Sequence, residues 1–295
     1  LRFASSGAGL IYCGTAALDK DCRQSGRQLL ITRNNIHKYK ILISKMRAVS
    51  SAPLIIQLSA GKINSKALTE RFSAAVKLAF EAGFDGVDIK LCHGDILCTS
   101  PDAGSVFDSI IDIAPHNAVI SCRYGLSGNT EKDAEAVLSL YEKGLSVASV
   151  TSGSPYKISH LCFPSNISEE KPPENPLKSL ERLICGAAEI KKAAPGLCVI
   201  ASRMSYLKNL APYVAAEVIA LGKSDMVGFG RAALAATDFA SNFISGKTEL
   251  KTSCIACGKC SDLLCAEMTV GCPIRDQEIY LPLYRELRKS KAHRF

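Results

Sequence analysis

Short β-branched runs alternate with longer amphipathic ones from the start of the chain to about residue 245. The short runs are Gly9–Gly14, Pro53–Leu58, Gly86–Lys90, Ala118–Arg123, Ser146–Thr151, Cys198–Ala201 and Met226–Gly228. Most are apolar throughout, which predicts strands covered on both faces, as in a parallel sheet. Between them the spacing predicts helices over Asn34–Val49, Lys66–Ala82, Ser105–Ile113, Thr130–Lys143, Pro176–Ala194, Leu207–Leu221 and Ala232–Ile244. In the second of these, Leu68, Phe72, Ala75, Val76, Ala79 and Phe80 recur at helical spacing. Gly83, Gly144, Gly222 and Gly246 stand where helices end and the chain reverses.

Seven strand–helix units predict an α/β fold of the TIM (β/α)8 type with its first strand missing, because closure takes eight. The competing fold is an open, doubly wound sheet. No Gly-x-Gly-x-x-Gly follows an early strand, which counts against a dinucleotide-binding half. The expected division is a barrel over residues 1–245 and a cysteine-rich extension over 246–295. A long loop at 152–175, carrying Pro155, Pro164, Pro172 and Pro173, follows a strand end, where barrels place active-site loops.

Composition narrows the class. With 47% hydrophobic and 22% charged residues, the chain can build a large core and shows no signature of disorder. No apolar run is long enough to cross a bilayer, and no charged-then-apolar leader opens the chain. The 13 cysteines are odd in number and scattered through strand-like and helix-like segments, which suits a reducing, cytoplasmic setting better than a disulfide framework. The net charge of +8 is spread out, apart from Arg285–Arg294, which reads as a solvated tail. Neither nucleic acid nor membrane is an expected partner; whether the chain forms an oligomer stays open.

The chemistry is densest near the end. Cys254, Cys257 and Cys260 stand two residues apart, and Cys272 follows after a gap. Zinc sites usually pair their cysteines as two distant knuckles, whereas three at this spacing wrap one corner of a [4Fe–4S] cubane, with a fourth thiolate from further along. A zinc clip or free thiols are the alternatives. In a barrel, reactive groups gather at the C-terminal strand ends. Those ends carry Gly14 and Thr15, Gln57, Lys90 and His93, Arg123, Thr151 and Ser152, Ser202 and Arg203, and Gly230 and Arg231. Glycines, an amide and several cations suit an anionic, planar, hydrogen-bonding cofactor.

These landmarks, in this order, resemble the old yellow enzyme group, and especially its iron–sulfur branch of dienoyl-CoA reductase-like and trimethylamine dehydrogenase-like NADH:flavin oxidoreductases. The resemblance runs through Ile-Ile-Gln57-Leu, the strand Gly86-Val-Asp88-Ile-Lys90-Leu-Cys92-His93-Gly94, Ser121-Cys122-Arg123, Ser152-Gly-Ser-Pro-Tyr156, Val227-Gly-Phe-Gly230-Arg231 and the cysteine series up to Asp276. It implies FMN contacts from Gly14, Gln57, Arg123, Gly230 and Arg231, with Ser202 and Arg203 near the phosphate. It implies a cluster on Cys254, Cys257, Cys260 and Cys272, leaving Cys265 structural. His93 and Lys90 would orient an electron-poor carbonyl or enone, and NAD(P)H or a donor protein would supply electrons.

Four departures accompany the resemblance. The family's proton-donating tyrosine is replaced by Asp95, which can donate only if burial raises its pKa. The glutamine strand continues as Ser59-Ala60-Gly61-Lys62, without the usual histidine. The glycine-rich phosphate loop reads Ala201-Ser202-Arg203-Met204. The strand forming the first wall of the flavin site is not found. A barrel that relays electrons or serves as a structural subunit without its own turnover is therefore a second reading, and a flavin barrel acting on RNA, like the dihydrouridine synthases, is a third.

Overall fold

The computed structural model describes residues 1–63, 67–154, 174–247 and 252–292. Lys66, expected to open the second helix, and residues 155–173 of the long loop, with Tyr156, lie outside them. Eight parallel strands form one sheet in the order β2-β1-β3-β4-β5-β6-β7-β8. They are β1 (Ile11–Ala17), β2 (Leu29–Leu30), β3 (Leu54–Ser59), β4 (Gly86–Leu91), β5 (Val119–Gly125), β6 (Val147–Thr151), β7 (Cys198–Ala201) and β8 (Met226–Val227).

Seven of these strands coincide with the seven apolar runs. The eighth, β2, is two residues long and lies against the free edge of β1, Leu29 opposite Ala16 and Leu30 opposite Ala17. The sheet is curled as a barrel requires. Tyr12 on β1 reaches Ser121 on β5 with its hydroxyl, 2.9 Å from Oγ. Those strands are three places apart, about 14 Å in a flat sheet at the usual strand spacing. Among the described residues, β2 and β8 are not hydrogen-bonded to each other.

Helices wrap the outside: α1 (Ile36–Arg47), α2 (Leu68–Ala82), α3 (Ala103–Ile113), α4 (Thr130–Glu142), α5 (Pro176–Ala193) and α6 (Ala211–Ala220). The inner stripe of α2, with Phe72, Val76 and Ala79, is fully buried. Its end is set by Gly83 at φ 101°, whose backbone lets its own N–H and that of Phe84 turn back onto Phe80 and Ala79. Asn129 and Asn175 cap α4 and α5 by accepting backbone N–H groups of Lys132 and Leu177.

Two helices differ from expectation. The helix expected over Leu207–Leu221 starts only at Ala211, after a 3-10 turn over Met204–Leu210, because Pro212 fits the first turn of a helix and not its interior. The helix expected over Ala232–Ile244 is two short ones, α7 (Arg231–Ala235) and α8 (Phe239–Ile244), broken at an extended Ala236. The break accompanies an aromatic cluster in which Phe229 packs against Phe239 and Phe243 at centroid distances of 5.2 and 5.6 Å. Beyond it, α9 (Lys259–Cys265) and α10 (Gln277–Ala292) form the extension. Arg2 pairs with Asp276, and Arg27 donates to the Glu267 carbonyl at 3.3 Å, fastening the extension to the barrel.

A barrel interior is ordinarily filled by layers of branched apolar side chains. Here part of it is polar. Gln57, Asp88 and Ser121 stand side by side in register on β3, β4 and β5. Lys90, Arg123 and Ser149 make the next row, nearer the C-terminal strand ends.

Candidate functional site

The first row is a continuous hydrogen-bonded chain. Asp88, 0% exposed, accepts from the Gln57 amide nitrogen at 2.6 Å and from Ser121 Oγ at 2.7 Å. Thr15 donates its hydroxyl to Gln57 Oε1. Burial raises the Asp88 carboxyl to about 6, against the opposing pull of those two bonds and of Arg123. Gly14 precedes Thr15 at φ 114°, and an added Cβ would stand 3.0 Å from the Gln57 carbonyl oxygen and the Ala16 nitrogen. Only glycine lets the two strands approach so closely there.

The second row is cationic. Arg123 has a buried Nε that makes no hydrogen bond among the described residues. A buried donor of this kind suits an acceptor brought by a bound group. Lys90 is buried and donates to Gln24 Oε1 at 3.2 Å. His93 adopts φ 60° and bonds its Nδ1 to the Gly153 carbonyl at 2.8 Å, so Nδ1 carries the proton. Burial, helped by Arg123 and Lys90, lowers this imidazole to about 4. It is neutral at physiological pH.

Asp95 has a structural post. Its carboxylate, 2% exposed, accepts from Ser59 Oγ at 2.5 Å, Gly61 N at 3.1 Å and Leu97 N at 3.3 Å. The two places where the sequence departs most from the family pattern, Ser59 and Asp95, thus touch each other and form one clasp between the loops after β3 and β4. Burial raises the Asp95 carboxyl, while its hydrogen bonds and Lys90 oppose the shift.

Ser202 and Arg203 face inward to the fold. Ser202 donates to the Val150 carbonyl at 2.6 Å, and Arg203 bonds Ser179 Oγ at 2.7 Å and Ser152 Oγ at 3.2 Å. Their polar groups tie β6, β7 and α5 together. Gly230 precedes α7 with open space where a Cβ would stand. Arg231, 8% exposed, lines a small cavity together with Cys254, Cys257, Cys260 and Cys272. The family resemblance implies a flavin contact for Arg231; the fold brings it to the cysteines.

All four expected cysteine ligands line that one cavity, and Cys265 is exposed outside it. Left-handed backbone at Ala256 and Gly258 winds the loop, and Ala256 N–H points at Cys254 Sγ, 3.4 Å away. Hydrogen bonds of this kind stabilise thiolates. Among the described residues, no three His, Cys, Asp or Glu side chains converge closely enough to grip a single metal ion. Behind the loop, Gly271 makes room for the Tyr280 ring, and Tyr284 donates to Asp262 at 3.1 Å.

Asp88, Ser121 and Tyr12 are not among the site residues expected from sequence. A lone carboxylate inside the apolar strand Gly86–Leu91 is the available signal, since burying one without donors is costly.

No family model and no curated protein matches the chain. Solved structures do. A 2-naphthoyl-CoA reductase superposes with a TM-score of 0.73 at 15% identity, over 92% of this chain and 50% of that one. Histamine dehydrogenase from Rhizobium sp. 4-9 gives 0.72 at 15% identity, over 92% and 46%. Morphinone reductase in complex with tetrahydroNAD gives 0.61 at 13% identity, over 83% and 80%. The likeness establishes the parallel (β/α) barrel fold, and the chain spans about half the length of the first two. Among the described residues, no helix is long and apolar enough to cross a membrane.

Proposed function

We propose that this chain is an FMN- and [4Fe–4S]-dependent oxidoreductase of the old yellow enzyme type, reducing an electron-poor carbonyl or enone with electrons from NAD(P)H or a donor protein. The observation that carries the reading is the buried Nε of Arg123, unpartnered among the described residues, in the row beside the locked amide of Gln57. Together they offer donors and an acceptor to the polar edge of a flat ring. Fold neighbours whose names are reductases and a dehydrogenase support the same chemistry.

FMN would be held by Gly14, Gln57, Arg123 and Gly230, and it supplies hydride transfer when bound. Cys254, Cys257, Cys260 and Cys272 would hold the cluster, with Arg231 offsetting the charge of the thiolates. Lys90 and His93 do the work on the substrate. The buried ammonium of Lys90 draws negative charge onto a carbonyl oxygen, and neutral His93, anchored through Nδ1, fixes the orientation. A reducing compartment suits the scatter of cysteines through the barrel and the extension.

The clasp formed by Asp95 favours the second reading, a relay or structural subunit, because the family's proton-donor position is engaged in holding loops. Anaerobic purification separates the two. Turnover predicts flavin bands on an iron–sulfur shoulder, both bleached by NADH. Brown protein without releasable FMN supports the relay. Colourless, zinc-loaded protein overturns both.

A further inference from the structure

Asp88 lies beside Gln57 on the neighbouring strand and takes no part in the proposed chemistry. A carboxylate only accepts, so Gln57 must face it with its NH2 group, and the Gln57 carbonyl must face the Thr15 hydroxyl. Ser121 gives its proton to the other Asp88 oxygen, so Tyr12 must donate to Ser121. Every proton in the chain from Tyr12 to Thr15 is directed by one buried acid. Neighbouring register positions on β3, β4 and β5 hold Gln57, Asp88 and Ser121 in line, so none can turn away without leaving a polar atom stranded.

We infer that Asp88 is the positioning residue that fixes the direction of the Gln57 amide, and with it the donor–acceptor pattern presented to the imide edge of a flavin. The inference rests on the flavin reading and adds the group that sets its specificity. With a neutral amide in place of Asp88, Gln57 can flip and present oxygen where the ring needs a donor. Asp88 acts through Gln57 and touches no cofactor itself.

The test titrates FMN into the full chain, stripped of flavin, and follows flavin fluorescence together with thermal stability. Asp88→Asn is expected to weaken FMN binding about tenfold or more, the scale of one misdirected buried hydrogen bond. The exchanged pair Asp88→Asn with Gln57→Glu restores an acid–amide contact. It should recover stability lost in Asp88→Asn and still bind FMN weakly, because the carboxylate then facing the ring offers only acceptors. Should Asp88→Asn alone fail to fold, the exchanged pair carries the test. Wild-type FMN affinity in Asp88→Asn, or recovery of FMN affinity by the exchanged pair, overturns the inference while leaving the flavin reading intact. A wild-type chain that binds no FMN overturns both.

Discussion

Removing the carboxylate of Asp95 should loosen the barrel mouth by an amount the hydrogen bonds set. In Asp95→Ala, Ser59 Oγ, Gly61 N and Leu97 N lose an acceptor that is 2% exposed, so water cannot replace it. A bond to a charged acceptor contributes about 1.5–3 kcal/mol, and a stranded buried donor costs about 1–3 kcal/mol. Gly61 N keeps Ser59 Oγ at 3.2 Å, and burial of the charge already raises the Asp95 carboxyl, so the terms partly offset. A net loss of about 3 kcal/mol remains, which lowers a urea midpoint by about 1 M for a chain this size. Asp95→Asn retains one acceptor and the shape, and should lose about 1 kcal/mol. Asp95→Tyr restores the residue the family pattern carries, but it forces a larger ring into a position that is 2% exposed and should destabilise more than alanine. Urea unfolding followed by circular dichroism ranks the three. If alanine unfolds at the wild-type midpoint, or tyrosine is tolerated, the clasp is not structural.

Three further outcomes follow from the geometry. His93, with its imidazole lowered to about 4 by burial, should stay neutral down to that pH. The unfolded chain takes the proton first, so stability is lost as pH falls from about 6.5 toward 4, by up to about 3 kcal/mol. An NMR titration of its ring that centres near 6.5 refutes this. Gly14→Ala should destabilise by about 1–3 kcal/mol and reduce flavin retention, since its Cβ meets strand backbone at 3.0 Å; an unchanged melting temperature counts against it. Cys257→Ser should lose bound iron, whereas Cys265→Ser, exposed and outside the cavity, should keep it; equal iron in the two contradicts the ligand set.

The barrel was legible because most of its strands are largely apolar and its helices amphipathic, signals that survive without any tertiary information. Strand β2 was not, since two residues form a strand only because the edge of β1 lies beside them. The cysteine set was legible from spacing. The destinations of charged side chains were not. Arg231 and Arg203 look alike in sequence, yet the fold sends one to the cysteine cavity and the other to Ser179. Asp95 reads in sequence as a replaced catalytic group, whereas the fold sets Ser59 against it, and that pairing joins loops 36 residues apart. Asp88 sits in plain view on an apolar strand, but its partners come from two other strands.

On the proposed function, the polar barrel mouth holds a flavin beside an iron–sulfur extension. The decisive measurement quantifies acid-released FMN, iron and labile sulfide in oxygen-free, freshly purified full chain. The expected result is one flavin and a [4Fe–4S] complement of iron and sulfide for every chain. Protein that carries neither flavin nor sulfide, and takes up no FMN when it is supplied, contradicts it.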